Sequence, residues 1–213
     1  MALTHDCTAG FDPSSLTGRR LGPYNSYNAV SRAQVWQWCS AMGDRNPLYL
    51  DDNYRAEVGF DRVVAPPAMM QMWTMRDIND RYAPGSTDDP PYQVFDTLAE
   101  HGFPGNVAVS YDITFHHLLL EGDRVHHYHT ISAISELKET ALGQGYFVTQ
   151  HAEFLDQDDR LFAEAIITYF QYRPAEGATD TADTSTPEAV TLPSEEWHSD
   201  YSDLDVANIR EGQ

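Results

Sequence analysis

The chain has 213 residues, with 33 Asp and Glu against 13 Lys and Arg, and a formal net charge of −20 at pH 7. A surface of this charge repels nucleic acids and anionic membranes, so we expect neither as a partner. No run of 18 apolar residues predicts a membrane span, and the N-terminus lacks the basic and apolar regions of a signal peptide. Together with two cysteines that lie far apart, Cys7 and Cys39, this predicts a cytoplasmic protein.

The acidic excess has two explanations, and the sequence leaves both open. Residues 174–213 carry ten acidic side chains and one arginine, and their low hydrophobicity predicts a largely flexible tail, in which Trp197 and Tyr201 are candidates for docking on a partner. More than half of the excess nevertheless lies before residue 174. This favours a halophilic origin, because high salt screens the self-repulsion of an acidic domain.

The first half of the chain is predicted to be mostly helical. Residues 1–24 form a polar lead-in. The next segment, 31–43, begins with a capping serine and ends with a glycine, which predicts a helix, and a shorter helix is predicted over 54–58. Residues 67–79 have a proline in the first turn and are apolar nearly all round, which predicts a buried helix, and 82–93 read as a loop.

From residue 94 onward the pattern is typical of strands separated by turns. The clearest predicted strands are 106–115, 125–136, 145–155 and 161–172. Helices followed by an antiparallel sheet predict an α+β domain over 25–173. Since no internal repeat is visible, we expect one such unit.

The most informative motif is Gly-Asp-Arg-Asn-Pro-Leu-Tyr-Leu-Asp, at residues 43–51. A turn alone would explain part of it, with Asp44 capping the backbone and Tyr49 packed in the core. Together with Val-Val-Ala-Pro-Pro-Ala-Met-Met-Gln-Met-Trp-Thr-Met at 63–75 and the strands that follow, however, it resembles the MaoC-like enoyl-CoA hydratases over about residues 20–172. The chain is most similar to the N-terminal MaoC-like dehydratase domain related to fatty-acid synthase.

This resemblance implies a hotdog fold, in which an antiparallel sheet wraps around a central apolar helix. Within the family, the chain resembles the larger subunits of heteromeric enoyl-CoA hydratases of bacterial steroid side-chain degradation. Those subunits often continue into a zinc-ribbon and OB domain, whereas this chain has no Cys-x-x-Cys. Steroid specificity therefore does not follow from the resemblance.

The resemblance also implies the candidate catalytic residues. In the family, an Asp and a His five residues apart handle the water that adds across the double bond. This chain keeps Asp44 and has Tyr49 where the His belongs, with Asn46 between them. Hydration needs a base, an acid and a donor for the enolate oxygen. A tyrosine, with a pKa of about 10, is a donor but a poor base near neutral pH.

Three functions remain open at this stage. The favoured one is a catalytically degenerate, acyl-CoA-binding subunit of a heteromeric enoyl-CoA hydratase. Its partner would be a small MaoC-like subunit with an intact Asp/His pair, with a homodimer as the alternative. The second is a self-sufficient hydratase or dehydratase in which Asp44 acts with Tyr49, or with His116 or His117 as a replacement base. The third is a non-catalytic module that binds acyl thioesters.

The resemblance places the thioester oxygen at the N-terminal end of the buried helix. Because Pro67 and the proline before it have no N–H group, Ala68 and Met69 are the nearby donors. Trp73 and Pro67 are further candidates for contact with the acyl group, although the apolar residues of this helix fit a protein core equally well.

No cofactor is predicted, and acyl-CoA is the expected substrate or ligand. His127 and His129 would share one face of a strand. No Asp, Glu or Cys set with metal-ligand spacing accompanies them, so a metal site is not predicted.

Overall fold

The computed structural model describes residues 12–175. Residues 1–11 and the predicted acidic tail beyond residue 175, with Trp197 and Tyr201, lie outside the described residues. The elements are, in chain order, a 3₁₀ helix Pro13–Leu16, β1 Arg20–Asn25, α1 Arg32–Met42, α2 Pro47–Leu50, α3 Asp52–Glu57, a second 3₁₀ helix Pro67–Thr74, α4 Gln93–Glu100, β2 Gly105–Phe115, β3 His126–Ile134, β4 Lys138–Thr140, β5 Gly143–Leu155 and β6 Leu161–Pro174.

The strands form one antiparallel sheet in the order β1-β3-β5-β6-β2, and β4 pairs with the start of β5. Burial alternates along β3 and β5, so one face of the sheet carries the core. We call this buried side the inner face. The predicted α+β class and all four predicted strands are confirmed.

The helices around the motif also form as predicted. Ser31 caps α1 by accepting a hydrogen bond from the Gln34 N–H, and Gly43 ends the helix in the left-handed conformation. Asp51 caps α3 through the N–H groups of Asn53 and Tyr54. Each of these two helices therefore begins at a side chain that pairs one or two of its unpaired backbone donors.

The predicted apolar helix over 67–79 is wrong in type and in length. The segment forms a 3₁₀ helix that ends at Thr74, and Ile78 is 99% exposed. In a 3₁₀ helix, side chains three residues apart eclipse one another. Met70 and Trp73 therefore face the core together, whereas Met72 is exposed.

Helix α4 covers a part of the inner face where the sequence predicted the end of a loop and the start of the strands. Val94 and Leu98 are four residues apart and buried, in a cluster with Phe103 and Tyr146. Apolar residues at this spacing lie on one side of a helix. The helical period, rather than strand alternation, explains why residues 93–100 fold this way.

Strand β1 lies partly inside the predicted lead-in. It pairs with β3, and its fully buried Tyr24 lies opposite His127. Gly22 adopts a φ of 130°, and a Cβ there would lie 2.6 Å from the Tyr128 ring. A glycine is therefore required where β1 lies beside β3.

Helices and the inner face of the sheet enclose a large core cluster. It includes Val35, Met69, Trp73, Phe154 and Phe162, and the partly buried Tyr49 packs against it. Across residues 12–175, no helix combines the length and the apolar character needed to cross a membrane.

Candidate functional site

The 43–51 motif forms a tight turn after α1, followed by the short helix α2 that leads to α3. The Asp44 N–H donates to the Cys39 carbonyl at 2.9 Å, and Asp44 Oδ1 accepts from the Asn46 N–H at 2.9 Å. Asn46 Oδ1 in turn accepts from the Leu48 N–H at 3.1 Å and caps α2. The Asp44 and Asn46 side chains therefore accept hydrogen bonds from the backbone of this segment and also interact with Tyr49.

Tyr49 is partly buried on α2, next to the two other predicted catalytic residues. Its pKa is raised, mainly by burial and also by the Asp44 carboxylate, while a side-chain hydrogen bond with Asn46 opposes the rise. The phenol is therefore neutral at physiological pH. The structure brings Asp44, Asn46 and Tyr49 together, with a hydrogen-bond donor in the position of the expected base.

The two candidate replacement bases contact other parts of the chain. His116 Nε2 lies 3.0 Å from the Glu164 carboxylate, which also contacts His151 at 3.0 Å. His117 Nε2 lies 3.3 Å from Asp156. Both histidines are engaged by carboxylates other than Asp44.

The four predicted acyl-contact residues do not surround one ligand-sized space. Pro67 and Trp73 border a narrow cleft of about 10 Å³, just enough for one water molecule. Met69 is fully buried, and its N–H donates to the Pro66 carbonyl at 2.9 Å. Ala68 is exposed.

A much larger cavity of about 540 Å³ lies between the inner face of the sheet and the segment 71–80. This volume is typical of small-molecule sites. Its walls are rich in aromatic and apolar side chains, among them Tyr82, Tyr92, Tyr111, Phe154, Ile167 and Tyr169. None of the predicted site residues lines it, so sequence reasoning missed this cavity.

Three buried polar residues line the same cavity, and we call them the polar floor: His127, His129 and Gln150. They are 3%, 7% and 0% exposed. Both histidines project from β3, and Gln150 on β5 lies between Ile131 on β3 and Ile167 on β6. The two imidazole rings are 4.9 Å apart and nearly perpendicular.

Both histidines of the polar floor are neutral. Burial lowers the pKa of His127 to about 3, with further lowering by His129 and His126, and burial lowers the pKa of His129 to about 4. Burial also raises the pKa of Tyr82 and of Tyr169 to about 12, mainly by desolvation. The inner cavity surface therefore offers uncharged donors and acceptors.

Among residues 12–175, no group of three or more His, Cys, Asp or Glu side chains is arranged to hold a metal ion. The alternation in His-His-Tyr-His at 126–129 predicted that His127 and His129 share a face. What the sequence did not predict is that this face is buried around a cavity, because the cavity depends on four strands that meet only in the fold.

Comparison with known proteins gives a consistent set of relatives. The model of the family "FAS1-like, dehydratase domain region" matches residues 15–165. The 3-oxo-4,17-pregnadiene-20-carboxyl-CoA hydratase alpha subunit of Mycobacterium tuberculosis is 32% identical over 172 residues, 81% of this chain and 54% of that protein. A probable enoyl-CoA hydratase alpha subunit of Thermomonospora curvata is 35% identical over 158 residues, 74% of this chain and 50% of that protein. The chain thus spans about half the length of the curated relatives it matches.

The structural comparison agrees with the sequence comparison. A chain in the crystal structure of the ChsH1-ChsH2 complex from Mycobacterium tuberculosis has a TM-score of 0.67 to this chain at 31% identity, covering 77% of this chain and 94% of that one. The predicted hotdog fold is confirmed by this match.

Proposed function

The chain belongs to the FAS1-like dehydratase domain region family, and from this premise we propose that it is the acyl-CoA-binding, catalytically degenerate subunit of a heteromeric enoyl-CoA hydratase. Its substrate would be a bulky 2-enoyl-CoA of fatty or steroid type. The names of the curated relatives support this reaction, since one is the alpha subunit of a hydratase for an acyl-CoA and the other is a probable enoyl-CoA hydratase alpha subunit.

The observation that carries the proposal is Tyr49 in the position of the expected histidine. Adding water to an unsaturated thioester requires a group that accepts a proton near neutral pH. The Tyr49 pKa lies above its ordinary value, so the phenol cannot accept that proton. Asp44 remains, but its carboxylate already accepts a hydrogen bond from the Asn46 N–H. A complete acid–base pair would come from another subunit.

The exposed edge of the sheet is an argument for a partner subunit. Strand β2 pairs with β6 on one side and is the last strand of the sheet path. Its residues are exposed after Gly105, including Tyr111, Ile113 and Phe115, which are 36–40% exposed and lie on the inner side. An uncovered edge strand of this length is a template for pairing with another sheet. A small MaoC-like subunit with an intact Asp/His pair would cover it.

The volume of the cavity is an argument for a bulky substrate. Tyr111 lies on the exposed strand β2 and also lines the 540 Å³ cavity, so the cavity lies beside the proposed partner surface. An acyl group held there would extend from a thioester at the shared surface. The partner would then supply the histidine, and this chain would supply the binding volume.

The test is enoyl-CoA hydration by the full chain alone and with a small MaoC-like subunit that carries the Asp/His pair. We expect no turnover by the chain alone and turnover by the pair. Replacing the partner's catalytic histidine should abolish that turnover, whereas Asp44→Asn in this chain should leave it within about threefold. Short-chain and steroid-sized substrates should be compared at low and high salt.

Two results would overturn the proposal in different directions. Turnover by the chain alone that Asp44→Asn abolishes would identify a self-sufficient hydratase. Tight binding of the enoyl-CoA without turnover, alone or with the partner, would identify a non-catalytic binding module.

A further inference from the structure

A second cavity, of about 210 Å³, lies between the first 3₁₀ helix, β1, α4 and β3, and we call it the small cavity. It shares one lining residue, His129, with the 540 Å³ cavity, which we call the large cavity. The other residues that line the small cavity do not border the large one. The two cavities are therefore separate spaces that have one imidazole ring in common.

His129 is the buried polar group of the small cavity. It is 7% exposed, and neither of its ring nitrogens has a hydrogen-bond partner among the described residues. His127 differs, because its ring has a hydrogen bond with the Tyr24 backbone. Leu21 lies opposite His129 in the pairing of β1 with β3, and Ile131 follows on the same face of β3. A buried polar atom without a partner costs about 1–3 kcal/mol, so a ligand that pairs one nitrogen would gain affinity.

The volume and the walls of the small cavity indicate a ligand with one small ring. An apolar cavity of about 150 Å³ is large enough to bind benzene, so a cavity of about 210 Å³ holds a ring with a short substituent. Val94 and Ile131 form walls that belong to a buried apolar cluster, and Leu16 packs against the same cluster. Water is a poor occupant beside these walls, since a buried water molecule needs two to four polar partners.

The charges around the small cavity favour an uncharged ligand. Among the described residues that line it, Arg19 is the only one with a formal charge, and its guanidinium pairs with the Asp89 carboxylate. An anionic ligand would have to compete with Asp89 for this arginine. The His129 imidazole is neutral, so it offers a hydrogen bond without a charge.

We propose that the small cavity binds an uncharged ring compound with one hydroxyl group, such as a phenol, whose hydroxyl group hydrogen-bonds a ring nitrogen of His129. A neutral imidazole has one donor and one acceptor nitrogen, and a hydroxyl group can pair with either. The ring of the ligand packs against Leu21, Val94 and Ile131. This site goes beyond the proposed function, because it lies outside the large cavity and requires neither an acyl-CoA nor a partner subunit.

The first test compares 4-ethylphenol with 4-ethyltoluene, which has a methyl group in place of the hydroxyl group. Binding of each probe to the full chain is measured by equilibrium dialysis, in the wild-type protein and in His129→Phe, which keeps a ring of similar size. The ratio of the two affinities cancels the general apolar contribution. We expect this ratio to favour the phenol at least about tenfold more in the wild-type protein than in the variant, as one hydrogen bond allows.

Two matched substitutions to tryptophan distinguish the two cavities. Leu16→Trp fills the small cavity and should weaken the binding of 4-ethylphenol at least about tenfold. Met72→Trp is the control, because Met72 lines only the large cavity, and it should leave the affinity within about twofold. In crystals of the wild-type protein soaked with 4-bromophenol, the anomalous signal of bromine should lie between β1 and α4.

Four results would overturn the inference. They are no binding of 4-ethylphenol, an affinity ratio that is unchanged in His129→Phe, loss of binding in Met72→Trp but not in Leu16→Trp, and bromine found only in the large cavity. None of these results bears on hydration with the partner subunit. A failure of hydration with intact binding of 4-ethylphenol would overturn the proposed function and leave the small cavity as a binding site.

Discussion

Replacing Gln150 with methionine is expected to stabilise the unliganded protein, whereas the same replacement at Gln171 is expected to destabilise it. Both side chains are buried on the inner face, at 0% and 2% exposure. They differ in pairing: Gln150 makes no side-chain hydrogen bond to any described residue, while Gln171 bonds to Asn106 and to the carbonyls of Phe103 and Phe95.

The size of the difference follows from these contacts. Methionine is close to glutamine in shape and removes both unpaired atoms of Gln150, a gain of about 1–3 kcal/mol in the free energy of unfolding. At Gln171 the same change leaves the Phe103 carbonyl and the Asn106 amide unpaired, a loss of about 2–4 kcal/mol. The two variants should therefore differ by at least about 3 kcal/mol.

The assay is urea denaturation of the full chain without ligand, followed by circular dichroism and tryptophan fluorescence. With a slope of about 2 kcal/mol per molar, the two midpoints should be separated by about 1.5 M. Gln144→Met serves as the control and should move the midpoint by less than about 0.3 M. If Gln150→Met destabilises the protein as much as Gln171→Met does, Gln150 is paired in the folded state and the reasoning about the polar floor is wrong.

Three further predictions concern the motif, the buried histidines and the surface charge. Tyr49→His, which restores the expected Asp/His pair with Asp44, should give the chain alone a hydration rate at least about tenfold above that of the control Tyr49→Phe, because general acid–base catalysis contributes about 10²–10⁴. Equal rates in both variants would refute a role for the position. Because His129 has a folded pKa of about 4 against an ordinary value of 6.5, the unfolded chain binds more protons below pH 6.5, so His129 should contribute a loss of about 3 kcal/mol of stability as pH drops from 6.5 to 4. His129→Phe should remove this contribution and leave the similar one of His127, whose pKa is about 3; an unchanged slope would contradict the assignment. Raising KCl from about 0.1 M to 2 M should increase the urea midpoint, since it screens the net charge of −20; an unchanged midpoint would argue against a halophilic surface.

Prediction from the sequence succeeded where one local pattern decides the structure. The capped helix α1 and the four long strands each carry their own period and end signals. It failed at β1, which lies mostly in the segment predicted to be a polar lead-in and pairs with β3, and at α4, where only two buried residues, Val94 and Leu98, mark the helical period. Both errors concern short segments that tertiary contacts decide.

The same dependence on tertiary contacts explains which residues of the candidate site could be predicted from the sequence. Asp44, Asn46 and Tyr49 are close in sequence, so a motif could identify them, and the fold brings them together. His127 and Gln150 belong to different strands, and no spacing in the sequence relates them. Only the register between β3 and β5 shows that an unpaired amide and two neutral imidazoles share one cavity.

The open edge of β2 has a consequence for the behaviour of the chain on its own. An eleven-residue strand with exposed valine, isoleucine and aromatic side chains can nucleate aggregation between copies of the chain. At neutral pH the strong negative charge keeps copies apart, but near the isoelectric point of about 4.5 this protection disappears. A partner that covers β2 would thus act as a chaperone-like cap as well as a catalytic complement. Co-expression would then be expected to raise the soluble yield, because the strand is covered soon after synthesis.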